Sequence, residues 1–163
     1  MNGQQYLTYT WFRIGIAVAA SRPGGWFYVY VAPHLDRWII RMSNGRASTA
    51  VGMPVLMLTT VGAKTGQQRI KPLVYIPDGE RAVLVASNGG HPHNPGWYYN
   101  LRAKATVTAS INARTQTFVA HEATDAERAR LWEKALTYYP GYAIYQRRAN
   151  NRQIPVMVLT PTD

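Results

Sequence analysis

Cysteine is missing altogether from this chain of 163 residues, which excludes disulfide cross-links, thiolate metal ligands and a nucleophilic thiol. Carboxylates are scarce: eight Asp and Glu stand against 18 Lys and Arg, and none lies between Arg37 and Tyr75. Long apolar runs are missing too. Ile14 to Ala20 is only seven residues and contains Gly15, while Trp26 to Ile40 is interrupted by Pro33, Asp36 and Arg37. A bilayer-spanning helix needs about 20 apolar residues, so none is expected. The same weak run, behind a polar rather than strongly basic region, argues against a secretory signal. No Gly-x-Ser-x-Gly, complete Walker A or paired-carboxylate pattern occurs, which leaves hydrolase, NTPase and glycosidase readings without support. His91 and His93 have a spacing that can bind metal, but Pro92 separates them and no Cys, Asp or Glu is near. A loop role is expected there, and no metal.

What the chain has in excess is positive charge, +10 at neutral pH. Such a field draws nucleic acid, an anionic membrane or a phosphorylated small molecule. It is regional, because Arg37, Arg41, Arg46, Lys64, Arg69 and Lys71 all fall within the acid-free span. The length suits a single core. We divide the chain into an apolar, basic leader over residues 1–50 and a folded domain over residues 51–163. The leader carries Trp11, Phe12, Trp26, Phe27, Tyr28, Tyr30 and Trp38. Those aromatics suit a segment lying on a membrane surface or capping a pocket, and equally extra core packed on the domain.

Periodicity organises the rest. Leu35, Trp38, Ile39 and Met42 repeat at helical spacing before Ser43-Asn44-Gly45, which predicts a short amphipathic helix. Val55 to Thr60 reads as a strand, Arg69 to Pro77 as a second, and Arg81 to Ser87 as a third after an Asp78-Gly79 turn. The segment NGGHPHNPGW is a loop by composition and leads into a short helix from Trp97 to Arg102. Thr106, Thr108 and Ser110 alternate with Val107, Ala109 and Ile111 in a fourth strand, and a fifth runs from Thr115 to His121. Thr124 and Glu127 have capping-box spacing, and Trp132, Ala135, Leu136 and Tyr139 line one face of the helix that follows. Pro140 ends that helix, a second helical piece holds Tyr142 and Tyr145, and Pro155 to Leu159 reads as the last strand. Six short antiparallel strands with helices inserted late predict an α+β fold, a small barrel with peripheral helices.

The clearest chemistry lies in LTTVGAKTGQQRIKPL, Leu58 to Leu73. An apolar run breaks into a glycine-bounded turn carrying Lys64, then resumes as a strand beginning with Arg69 and Lys71. Gly62 and Gly66 permit positive φ and close backbone approach, so the turn can aim N–H donors and a lysine at an anion. Arg69 and Lys71, two apart on a strand, project from one face. Three converging cations predict a polyanionic ligand.

Four segments, TTVGAKTGQQR, ASNGG, NPGWYYNL and YPGYAIYQ, spread over Met53 to Leu159, resemble in order and spacing the deazaflavin-dependent nitroreductase family. These are split β-barrel oxidoreductases of actinobacteria, FMN-binding-like in fold, that use coenzyme F420. The resemblance implies that Lys64, Thr65, Gly66 and Arg69 hold the coenzyme's phosphate and polyglutamate tail. It implies that Ser87 and Trp97 line the coenzyme, with Trp97 as a flat apolar wall. Ala63 and Asn88 stand where the family commonly has arginine and lysine, so both remove positive charge from the tail site. Lys71, on the strand face of Arg69, is the candidate to compensate.

The resemblance further implies that Tyr139, Tyr142 and Tyr145 line the acceptor side, with Tyr142 as the hydroxyl donor to an oxygen gaining negative charge. Without it, the same three residues read as a buried aromatic stripe. The implied reaction is hydride transfer from reduced deazaflavin to an activated alkene, quinone or nitroaromatic, with the protein positioning and polarising. Two alternatives stay open: an FMN- or haem-binding or cofactor-storing split barrel without turnover, and a basic barrel stacking single-stranded nucleic acid. The expected partner is a small-molecule acceptor rather than nucleic acid. The expected setting is the cytoplasm, as a monomer, with the leader as a peripheral contact at the inner face of the membrane.

Overall fold

The computed structural model describes residues 53–162. The leader's short helix, its aromatics and its membrane contact all fall outside the described residues. The element order is β1 (Val55–Val61), β2 (Gln68–Val74), β3 (Ile76–Asp78), β4 (Arg81–Val85), α1 (Gly96–Ala103), β5 (Thr106–Ile111), β6 (Arg114–Glu122), α2 (Asp125–Tyr138), α3 (Gly141–Arg148) and β7 (Val156–Pro161). A single 3-10 turn, Asn88–Gly90, interrupts the loop between β4 and α1.

Seven strands form one sheet in the order β2-β1-β5-β6-β7-β4-β3, and every pairing is antiparallel. The α+β half-barrel expected from sequence is present with one strand more than expected. The run from Arg69 to Pro77 is two strands: it leaves β1 at Val74, breaks at Tyr75 and pairs with β4 from Ile76 onward. The same stretch thus contributes both edges of the sheet, a change of partner that a continuous apolar pattern does not register. The hairpin between β3 and β4 forms as expected, with Asp78 opposite Arg81 and Gly79 at φ +66°.

Register explains the burial. Directly opposed residues of an antiparallel pair share a face, and Ala82, Leu84, Met157 and Leu159 face one way while Val83, Val85, Val156 and Val158 face the other. The first set joins Leu56, Leu58, Val107, Ala109, Phe118 and Ala120 in a core plugged by Trp97, Tyr98 and Leu101 of α1. The second set packs against Leu131 and Ala135 of α2 and against the tyrosines of α2 and α3. Strands β4 and β7 are therefore buried on both faces, which is why they read as unbroken apolar runs rather than alternating ones. Each fully buried Leu or Val stabilises by roughly 1.5–3 kcal/mol.

The capping box did not form. Thr124 occupies the N-cap position of α2 without a side-chain cap bond, and φ of +46° at Asp125 turns the chain away from the box geometry. Glu127 binds Arg81 at 3.1 Å and His121 at 2.9 Å instead.

Candidate functional site

The bend between β1 and β2 is held together from within. The Gly62 amide donates to Gln67 O at 2.8 Å, and the Thr65 and Gly66 amides donate to Gly62 O at 3.2 and 2.8 Å. The Gln67 amide reaches Thr65 Oγ1 at 3.4 Å, and the Ala63 amide donates to Asn100 Oδ1 at 3.0 Å. Gly66 takes φ +67°, and a Cβ on Gly62 would stand 2.6 Å from Thr65 Oγ1, so the two glycines do separate jobs. The expectation that this turn aims its N–H groups at an anion is thus corrected. Five of those amides already have protein acceptors, and Thr65 is occupied in shaping the turn.

What the bend offers instead is side-chain charge. Arg69 lies opposite Thr60 and Lys71 opposite Leu58, and both of those β1 residues point into the α1 core. Arg69 and Lys71 therefore share the α1-side face of edge strand β2, where both are exposed, as is Lys64 in the adjoining turn. None of the three has a carboxylate partner among the described residues; Arg69 touches only Gln67 Oε1, at 3.1 Å. Three acids are engaged elsewhere: Asp78 with Arg81, Arg130 and Lys134, Glu122 with Arg102, and Glu127 with Arg81 and His121.

Helix α1 anchors this edge. Asn100 accepts from Ala63 and donates through Nδ2 to Thr60 Oγ1 at 3.0 Å, while Trp97, one turn earlier, is buried in the core. Sequence reasoning passed over Asn100. Its signal was there in retrospect, since an Asn within the helix of NPGWYYNL is a poor helix former and invites a search for a partner.

The loop between β4 and α1 carries Ser87 and Asn88. Asn88 adopts φ +50°, and its side chain donates to His93 O at 2.9 Å. His91 and His93 sit in that exposed loop, as expected, and no group of three or more His, Cys, Asp or Glu able to hold a metal ion exists among the described residues. Gly90 brings the loop against α3: at φ +83°, a Cβ there would lie 2.8 Å from Tyr145 O and 2.7 Å from Arg148 Cβ. Arg152, also overlooked in the sequence, donates into this loop from the other side.

The three tyrosines do come together. Their ring centroids are 5.1 Å apart for Tyr139 and Tyr142, 5.8 Å for Tyr139 and Tyr145, and 6.3 Å for Tyr142 and Tyr145. The hydroxyls of Tyr139 and Tyr145 are 3.0 Å apart. The Tyr142 hydroxyl has no hydrogen-bond partner among the described residues, and burial, with Tyr145 beside it, pushes its pKa well above the tyrosine range. It is therefore a neutral donor. The site residues form two groups on opposite faces of the sheet. Lys64, Arg69 and Lys71 are tied to α1, Ser87 and Asn88 are tied to the tyrosine helix α3, and residues 86–103 run between them.

The model of one family, the F420H(2)-dependent quinone reductases, matches residues 34–161, beginning inside the stretch read as leader. An F420H(2)-dependent quinone reductase of Mycobacterium tuberculosis strain H37Rv is 39% identical over 127 residues, 75% of this chain and 85% of that protein. Among solved structures, an F420-H2 dependent reductase, FDR-A, is 36% identical with a TM-score of 0.60, covering 66% of this chain and 94% of the other. Another, described as a domain-swapped dimer, is 31% identical with a TM-score of 0.62 over 78% of this chain and 97% of its own. A haem-binding protein from Mycobacterium smegmatis, 19% identical with a TM-score of 0.51 over 73% of this chain and 50% of its own, shares the fold alone.

Proposed function

The chain belongs to the F420H(2)-dependent quinone reductase family, and from that premise we propose that it carries a hydride from reduced coenzyme F420 to a quinone held near Tyr142. The relatives' names narrow the acceptor to a quinone from the wider set of quinone, nitro and alkene substrates. One observation supports the choice of a polyanionic coenzyme. Lys64, Arg69 and Lys71 stand together without carboxylate partners, in a chain whose fold by itself would also suit a haem-binding protein.

The residues fit the group. A phosphodiester followed by several carboxylates asks for several cations on one surface, and the bend provides them on side chains long enough to follow a flexible tail. The segment 86–103 links the two groups: its loop touches α3 at Gly90, and its helix carries Trp97 and Asn100, the latter bonded to the turn that holds Lys64. Bound F420H2 supplies a two-electron hydride, so no nucleophile or metal is required of the protein. The protein's own tasks are alignment and polarisation: Lys64, Arg69 and Lys71 fix the tail, Ser87 and Asn88 border the ring, and Tyr142 donates a hydrogen bond to the quinone oxygen that gains charge. A buried, neutral phenol suits that last task because it keeps its proton at neutral and mildly alkaline pH.

Fluorescence titration with oxidised F420, followed by turnover of menadione with F420H2, tests the reading. Lys64→Ala with Arg69→Ala is expected to weaken F420 binding by roughly 100-fold at low salt and by less at high salt. Unchanged affinity removes the anion site from the proposal. We further assign the protein to the cytoplasm as a monomer, with its aromatic leader against the membrane where quinones partition. Among the described residues no helix is long and apolar enough to cross a bilayer. Failure of the full chain to co-sediment with anionic vesicles would discard the membrane contact, and a dimer mass in light scattering would discard the monomer.

A further inference from the structure

We infer that Arg152 is a positioning residue that sets the coenzyme ring against the acceptor side, a strut that fixes the Ser87–Asn88 loop relative to the tyrosine helix; the inference rests on the site reading above. A guanidinium has five N–H donors, and all five are used here on one loop. Nε donates to His91 O at 3.2 Å. One terminal nitrogen donates to Ala86 O at 3.2 Å and Asn94 Oδ1 at 2.6 Å. The other donates to Ser87 O at 2.9 Å and His91 O at 2.8 Å. No carboxylate joins them among the described residues, so this cation is bound by carbonyl and amide dipoles alone, partly buried, and its pKa is lowered by burial.

The near end of the strut is clamped as firmly as the far end. Gln146, one residue after Tyr145 on α3, donates through Nε2 to Arg152 O at 2.8 Å and accepts from the Ile154 amide at 2.9 Å. The Arg152 amide donates to Ala149 O at 3.2 Å. A continuous path therefore runs from α3 through Gln146 and the Arg152 backbone to the guanidinium and on to the carbonyls of Ala86, Ser87 and His91. Gly90 completes the coupling by letting the loop backbone touch Tyr145 directly. Lysine cannot replace this fork: it has three donors from one point and cannot span four acceptors spread over residues 86–94.

The test uses the full chain with F420H2 and menadione. Arg152→Ala and Arg152→Lys are both expected to weaken F420 binding by less than about threefold, since the loop borders only the ring while Lys64, Arg69 and Lys71 hold the tail from another element. Both should lower kcat by about tenfold while KM for menadione moves less than about threefold. Added ethylguanidinium should return about threefold or more of kcat to Arg152→Ala and nothing to Arg152→Lys, a rescue that a merely structural loss of stability does not give. A kcat within about twofold of the parent, or a folded Arg152→Ala that guanidinium does not rescue, overturns the inference. If Arg152→Ala does not fold, Gln146→Glu removes the donor to Arg152 O and keeps the acceptor for Ile154. It is then expected to lower kcat about threefold while F420 affinity moves by less than about twofold, and an unchanged kcat overturns the inference. A parent chain that binds no F420 would instead overturn the site reading itself.

Discussion

The side-chain oxygen of Asn100 accepts the amide proton of Ala63 across 3.0 Å, tying the helix that carries Trp97 to the bend that carries Lys64. Its nitrogen donates at the same time to the buried hydroxyl of Thr60. Asn100→Ala leaves both of those groups without a partner, at about 1 kcal/mol each. The bend should loosen and F420 affinity should fall by about tenfold, read by fluorescence titration, with a modest drop in melting temperature. An affinity within twofold of the parent would show that the cations do not need this tether.

Tyr142→Phe removes one hydroxyl from a packed ring cluster and adds nothing. The expected outcome is a kcat for quinone reduction lower by roughly tenfold with F420 affinity unchanged. The parent's pH profile carries a second check. Burial raises the Tyr142 pKa, so the proton is retained above the ordinary value of about 10, and turnover should show no loss from this group between about pH 7 and 9. Above about 10 the unfolded chain ionises first, so the group's contribution to stability declines as pH rises.

Asp78 gathers Arg81, Arg130 and Lys134 while its own side chain is only 10% exposed. Hydrogen bonds from Arg130, Lys134 and Arg81 hold its carboxyl well below the usual carboxylate range. A lowered folded pKa contributes stability that is present above the unfolded value of about 4 and is lost as pH falls further. Asp78→Asn is expected to cost about 2–3 kcal/mol at neutral pH and to flatten the acid limb of a chemical-denaturation profile. F420 binding should not change.

Gly90→Ala sets a methyl 2.8 Å from Tyr145 O on a backbone with φ +83°. Strain and clash together predict a loss of about 2–4 kcal/mol and a fall in kcat larger than the fall in F420 affinity, measured by thermal melting and steady-state kinetics.

Much of the architecture could be read from residue pattern because side-chain period and burial agree in β1, β5 and β6, where one face is covered. The split at Tyr75 could not be read, since changing strand partner leaves the local pattern untouched. The capping box was misread for a similar reason: spacing cannot reveal that Glu127 has better partners in Arg81 and His121. At the candidate site, the clustering of the cations and the buried packing of the tyrosines were legible by type and spacing, whereas the tyrosines' acceptor role came only from the resemblance. Their supports were not. Asn100 and Arg152 act through contacts 37 and up to 66 residues away in sequence, which no window of the chain contains. The turn amides failed the other way, since the glycines that suggested free donors serve a tightly closed loop.

The pairing of Asp78, Glu122 and Glu127 with arginines and a lysine of β4, α1 and α2 has a kinetic corollary. The β1–β2 edge keeps its charge unpaired, as do exposed Lys104, Arg114, Arg147 and Arg148, so on the proposed reading an anionic coenzyme is drawn toward this basic surface before contact. Association should therefore be fast in dilute buffer and slow steeply with ionic strength, while the rate of departure barely responds.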